Sequence, residues 1–286
     1  MERIRMKEKN RFFSNTRPGK TVTWGSATFE LPILYYRDDL FGLYFTGDAK
    51  KIRELMPSDQ MHPILLPNGR AIVAIFAFNY METSIGAYGE IPVGIPVVYG
   101  KKTTPFTGWL PALLESSYPG FGVCVMHLPV TKATARDAGR GEWGYSKFVA
   151  DMDFQITPEQ LSCSMHENDA HILDINVMRR GIHIKDNKPL TTYSVKNHQL
   201  IKTVIPQQGV KRVSLLTHGS CVTLGNHPVA DSIRALDISE TPFMSVYYPE
   251  RGGILPSGKI IETGVRAFDG YMSELEEARH TVSYGG

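Results

Sequence analysis

The run AIVAIFAFNY, residues 71–80, sets valine, isoleucine and phenylalanine between turn-forming segments. That composition suits a pleated strand. Working outward, TVTWGSATFELPILYY (21–36), GIPVVYG (94–100) and FGVCVMHLPV (121–130) have the same character. HILDINVMRRGIHI (171–184), TTYSVKNHQLIKTVI (191–205) and RVSLLTHGSCVTL (212–224) alternate or nearly alternate, as half-buried strands do. KDNKPL (185–190) reads as a hairpin turn between two of them. Helical signals are few. AKKIRELMP (49–57) places Ile52, Leu55 and Met56 on one face and stops at Pro57. HPVADSIRALD (227–237) sets Val229, Ile233 and Leu236 at helical spacing, and MSELEEARH (272–280) is a third, with Ser273 as its cap. The expectation is a mainly β (α+β) chain: a polar, flexible arm over 1–20, then a single domain over 21–286. That domain is a closed antiparallel β barrel or cone with a few peripheral helices, a form that can hold a ligand inside.

Composition narrows the function. The 286 residues are 42% apolar and 21% charged, ordinary for a globular chain. Thirty-one basic and 29 acidic residues give a net charge of +2, which argues against a nucleic-acid or anionic-membrane partner. Cys124, Cys163 and Cys221 form no C-x-x-C pair, so neither a zinc ribbon nor a disulfide framework is expected. That usage fits a reducing, cytoplasmic setting. No run of about 18 apolar residues predicts a membrane span. The opening MERIRMKEKNRFFSNTRPGK lacks the apolar stretch of a secretory signal.

Chemistry is suggested by GEWGYSKFVADMDF, residues 141–154. Lys147 sits there among Tyr145, Phe148 and Val149. Burial disfavours a charged ammonium, and a neutral amine attacks a carbonyl to form an imine, an electron sink once protonated. The plain alternative is a lysine that snorkels its ammonium to water. Trp143, four residues earlier, is a candidate wall of a pocket; Trp24 and Trp109 are candidates of the same kind or simply core. His166, Glu167, Asp169 and His171 in MHENDAH match no metal spacing, and no metal site is expected. There is no phosphate-binding loop and no Gly-x-Ser-x-Gly elbow.

Three segments, in order, resemble the acetoacetate decarboxylase family. SIGAYGEIPVGIPVVYG (84–100) holds Gly86, Tyr88 and Glu90 in a Gly-x-Tyr-x-Glu pattern, followed by Ile95, Pro96 and Val97. GRGEWGYSK (139–147) is similar to the stretch that ends in the family's imine-forming lysine, with Ser146 in place of a proline. LGNHPVADSIRALDI (224–238) resembles the family's late His-x-x-Ala helix. The resemblance covers about 35–262. It implies a closed β cone, a homo-oligomer, no metal and no organic cofactor. It implies Lys147 as nucleophile, Glu90 as acid/base or orienting carboxylate, and Arg37 as anchor for a substrate carboxylate. Tyr88, Trp143 and Phe148 are the further substrate-binding candidates. Arg37 is followed by Asp38 and Asp39, so a surface ion pair is an equal reading.

Two departures bear on the activity. The family's second lysine, directly after the first, is replaced by Phe148, which leaves burial to activate Lys147. A second pocket glutamate, some fifteen residues before Glu90, is matched by Ile75. The expected function is therefore a lysine-imine decarboxylase of a small β-keto acid. The alternatives are an imine-based aldolase or dehydratase acting on 2-oxo acids, and a non-catalytic ligand-binding relative.

Overall fold

The structure is a computed structural model, and it describes residues 11–102, 118–268, 270 and 271. The segment 272–280, expected as a helix, and Trp109 lie outside the described residues.

A hairpin of β1 (Lys20–Trp24) and β2 (Ala27–Leu31) leads into the long β3 (Ile33–Gly47). Then come α1 (Ala49–Leu55), β4 (Met61–Pro63), β5 (Ala71–Thr83), β6 (Tyr88–Glu90), β7 (Val93–Tyr99) and β8 (Phe121–His127). Asp48 starts α1 by accepting the Lys51 amide at 2.9 Å, the capping that a short helix needs. The second half holds α2 (Ala133–Ala138), which runs into a π-helical turn (Gly139–Trp143). It continues with β9 (Asp151–Ile156), β10 (Gln160–Glu167), β11 (Ala170–Met178), β12 (Ile182–Asp186), β13 (Leu190–Lys196) and β14 (Gln199–Ile205). β15 (Gln207–Ser214), β16 (Cys221–Leu224), α3 (Pro228–Ala235), β17 (Met244–Leu255) and β18 (Lys259–Thr263) complete the chain. No helix among the described residues is long and apolar enough to cross a membrane.

The large sheet runs β12-β15-β17-β3-β5-β7-β8-β13-β14-β18, with β4 added on β7 and β6 on β5. Its pairings are antiparallel except β8 with β13. A second sheet, β16-β11-β10-β9, covers one of its faces. The mainly β character with few helices stands. The expected closed barrel does not: the large sheet is open, and its outer strands β12 and β18 do not pair with each other. Closure demands a regular tilt and stagger. Here β3, β15 and β17 carry register shifts around Arg37 and Arg251, and such bulges bend strands locally. The sheet curls around a cavity without joining its own edges.

Four predicted runs also split, the first of them TVTWGSATFELPILYY, which divides into β1, β2 and β3. HILDINVMRRGIHI divides at Gly181 (φ +118) into β11 and β12, which belong to different sheets. RVSLLTHGSCVTL divides likewise into β15 and β16. TTYSVKNHQLIKTVI is a hairpin, β13 with β14, turning at Asn197 and His198, both left-handed. KDNKPL connects β12 to β13, which are not neighbours, so it is no hairpin turn.

Alternation along the central strands separates two interiors. Phe41, Leu43 and Phe45 of β3, with Val73, Ile75 and Ala77 of β5, enter a dry core shared with Leu161, Cys163 and Ile175 of the second sheet and with Ile233 of α3. Tyr35 and Leu40 of β3, with Phe78 and Tyr80 of β5, point the other way, beside Phe29, Trp143 and Tyr145. That second face lines the cavity.

Candidate active site

The cavity has a volume of about 620 Å³. Lys147 reaches it through an unusual local path. The π-helical turn ends at Gly144, which is left-handed (φ +67), and the chain then runs extended. Val130 holds this stretch on both sides: its amide donates to the Phe148 carbonyl at 2.9 Å, and its carbonyl accepts the Ala150 amide at 3.0 Å. The same Val130 is bridged to Glu90. One residue therefore fixes the lysine segment and the glutamate segment relative to each other. Gly139 gives the lysine stem its passage, since a Cβ there would overlap Lys147 Cδ and Cε.

Extended backbone sends neighbours to opposite sides. Tyr145 and Lys147 line the cavity. Phe148 turns into the dry core, between the His227 ring (6.4 Å) and the Tyr271 ring (4.8 Å). Phe148, expected to contact substrate, is not among the cavity-lining residues.

Glu90 ends β6, whose register against β5 places Phe78 opposite Glu90 and Tyr80 opposite Tyr88. Gly86 makes the preceding turn with φ +86. Lys147 Nζ donates to Glu90 Oε2, and Tyr80 Oη donates to Glu90 Oε1 at 3.2 Å. Lys147 is 4% exposed and Glu90 7%. Two opposite charges at that depth pay for lost hydration unless they meet each other and further donors, which these do. Tyr35 and Tyr88 share a hydrogen bond at 2.9 Å, and the Tyr35 and Tyr88 rings lie 4.5 and 4.7 Å from that of Tyr80. Burial, with the Glu90 carboxylate nearby, pushes the Tyr35 and Tyr80 phenols well up; Tyr88 is pushed up by burial, then by Tyr35 and Glu90. All three stay protonated: Tyr80 donates to Glu90, and one hydrogen bond links Tyr35 and Tyr88. Tyr145, raised by burial to about 12, bonds Thr192 Oγ1 at 2.7 Å.

Trp143 lines the cavity and is held by its Nε1–H, which donates to the Pro256 carbonyl at 2.8 Å. Trp24 is 38% exposed and bonds Glu142. Arg37 is exposed and does not line the cavity. The register shifts on either side of it turn its side chain outward. The guanidinium that lines the cavity is Arg251, 4% exposed. It donates to Asp38 Oδ2 at 2.7 Å and to Gln207 Oε1 at 3.0 Å, and lies 5.3 Å from the Phe78 ring centre. Burial works against its charge, and Asp38, Tyr80 and Tyr248 together more than offset that. Ile75, at the place of the second glutamate, faces the dry core.

Tyr35, Tyr80, Asp38 and Arg251 were not singled out from sequence. Tyr80 carried a readable signal, being the polar end of the 71–80 run. Asp38 and Arg251 lie 213 positions apart and carried none. The late helix is capped by His227, whose Nδ1 accepts the Val229 amide at 3.2 Å while Nε2 meets Glu167 Oε2 at 3.0 Å. This pair stands behind Phe148, outside the cavity.

The arrangement supplies an amine, a carboxylate bonded to it, three neutral phenols and an apolar surround. Residues 18–252 match the family model for acetoacetate decarboxylase (ADC). No curated protein matches the chain significantly. Among solved structures, the acetoacetate decarboxylase of Legionella pneumophila is similar at a TM-score of 0.61 and 15% identity, over 89% of this chain and 95% of that one. The enduracididine biosynthesis enzyme MppR complexed with pyruvate is similar at 0.58 and 10% identity, over 81% and 91%. An acetoacetate decarboxylase-like enzyme from Sphingomonas wittichii is similar at 0.56 and 11%, over 81% and 93%. With its family model spanning most of the chain, including both the Glu90 and the Lys147 segments, this protein belongs to the acetoacetate decarboxylase family.

Proposed function

We propose that the protein is a lysine-imine enzyme that decarboxylates a β-keto acid. The observation that carries this reading is the buried Lys147–Glu90 pair in the wall of an apolar cavity. Moving one proton from Nζ to Glu90 Oε2 removes both charges and leaves a neutral amine. The amine adds to the ketone carbon. Proton return from Glu90 to the carbinolamine oxygen expels water and leaves the protonated imine. The C–C bond to the carboxylate breaks, CO₂ leaves, and its electron pair is held as an enamine. Protonation at carbon and hydrolysis by one water release the methyl ketone and free Lys147. Tyr80, as a donor to Oε1, keeps Glu90 oriented through these proton transfers. Arg251 takes the carboxylate-orienting role expected for Arg37.

The rival imine chemistry is condensation of a 2-oxo acid with an aldehyde. Likeness to MppR supports it, because that protein is described in complex with pyruvate and with a condensation product of pyruvate and imidazole 4-carboxaldehyde. The two are separated by supplying a β-keto acid in one tube and pyruvate with an aldehyde in another. CO₂ release and a methyl ketone, both abolished in Lys147→Met, carry the first reading. A new conjugated product without CO₂ replaces it with the second.

A further inference from the structure

The cavity is far larger than a four-carbon keto acid requires. Its 620 Å³ falls within the range of sites that enclose drug-sized ligands, roughly 300–1,000 Å³. Its shape follows from strand register. Phe78 of β5 stands opposite Glu90, and Phe76, Ala74 and Ile72 follow on the same face, all lining the cavity. Successive residues of a strand rise about 3.3 Å, so the wall extends on the order of 20 Å from the carboxylate to Ile72. The lining residues contributed by 40–44, 72–78, 93–96 and 121–125 include no charged side chain.

Small residues keep this arm open. Ala74 pairs with Gly94 across β5 and β7. Gly42 pairs with Phe76, and a Cβ on Gly42 would overlap the Phe76 ring, so the ring reclines across β3. The Tyr44 ring meets it edge-on at 5.2 Å and holds it there. Lys147, Glu90, Tyr80 and Arg251 lie at the other end, while Lys185, Asp186, Lys188 and Lys211 line the cavity from β12, β15 and the chain after β12.

Resting on the imine reading above, we infer that the substrate is an amphipathic β-keto acid of the form R–CO–CH₂–COO⁻. Its ketone meets Lys147, and R is a long alkyl or aryl group lying along the Phe76–Ala74–Ile72 arm. A small acid leaves that arm filled only with water against an apolar wall. An apolar R displaces the water, and each buried methylene strengthens productive binding by up to about fourfold.

The test is a matched series: acetoacetate, its eight- and twelve-carbon 3-oxo homologues, and benzoylacetate, assayed for kcat/KM with wild type, Ala74→Leu and Ala74→Phe. Binding of dodecanoate and 4-phenylbutyrate, which form no imine, is measured in parallel by calorimetry. The expected result is a kcat/KM for the long or aryl acids at least ~100-fold above that for acetoacetate. That ratio falls about tenfold or more in Ala74→Phe and less in Ala74→Leu, and the unreactive acids bind wild type but not Ala74→Phe. Turnover of acetoacetate equal to or better than its homologues overturns the inference and leaves the imine reading standing. Wild-type binding of the unreactive acids, lost in Ala74→Phe, with no turnover of any keto acid upholds the apolar ligand and overturns the imine reading. Failure of wild type both to bind the unreactive acids and to prefer long substrates overturns the inference.

Discussion

The two faces of β3 and β5 come from the same residues of chain yet behave as different materials. On one, Phe41, Leu43, Val73 and Ile75 meet the second sheet and α3 with their side chains fully buried. On the other, Leu40, Phe76, Phe78 and Tyr80 border the cavity. The first face holds the strands in place. The second leaves an apolar surface uncovered, and it is where a charged pair is tolerated. Lys147 and Phe148 repeat the division over two adjacent residues, one to each side. Phe148 therefore acts on Lys147 as an anchor from behind: it fixes the backbone that aims the lysine.

This contrast can be broken most severely at the lysine. Lys147→Met should lower turnover by roughly a thousandfold or more, measured as CO₂ release, because it removes the atom that forms the imine. Glu90→Gln should lower it by about 10²–10⁴-fold while the protein stays folded, since the amide keeps one acceptor oxygen for Tyr80 or Lys147 but takes up no proton. A small effect of Glu90→Gln would remove the carboxylate from proton transfer.

Stability should split between the faces. Phe41→Ala opens a hole in the dry core and should cost about 3–5 kcal/mol by urea titration. Phe76→Ala borders space that exists already and should cost roughly 1–2 kcal/mol. Equal costs would mean that the cavity face is packed as tightly as the core.

The phenols give a pH signature. Tyr35, Tyr80 and Tyr88 are raised, and Tyr145 is raised to about 12, against about 10 in the unfolded chain. Above pH 10 the unfolded state loses these protons and the folded state keeps them. Their contribution is complete below pH 10 and falls as pH rises, by about 1.4 kcal/mol per unit for each phenol. Melting temperature should hold level up to about pH 9 and then drop steeply. Tyr145→Phe should lessen the slope by one proton between about pH 10 and 12. On the acid side, burial and then His227 lower His127 to about 4. An unfolded histidine takes its proton near 6.5. Stability from His127 is therefore full above 6.5 and declines as pH falls toward 4.

What could be read from sequence was what lies close along it. The strand character of 71–80 rested on composition alone and needed no partner. Lys147 and Glu90 each sit inside a short pattern, and the fold brings the two side chains together. The rest depends on distant register. Arg37 and Arg251 look alike as residues, and only the shifts where β3 meets β5 and β17 decide which one turns inward. The open sheet was hidden for the same reason. Alternating runs announce strands, but nothing in HILDINVMRRGIHI says that its halves join different sheets. The side that Phe148 takes depends on the alternation of its extended segment, which sends it away from Lys147 into the core.

The most direct test of the central claim is borohydride trapping read by intact mass. Wild type mixed with a β-keto acid and reduced should gain the mass of the product-derived amine, mapped to Lys147 by peptide analysis, and Lys147→Met should gain nothing. Wild type that binds the keto acid but gains no mass, or an adduct on another lysine, would contradict the account.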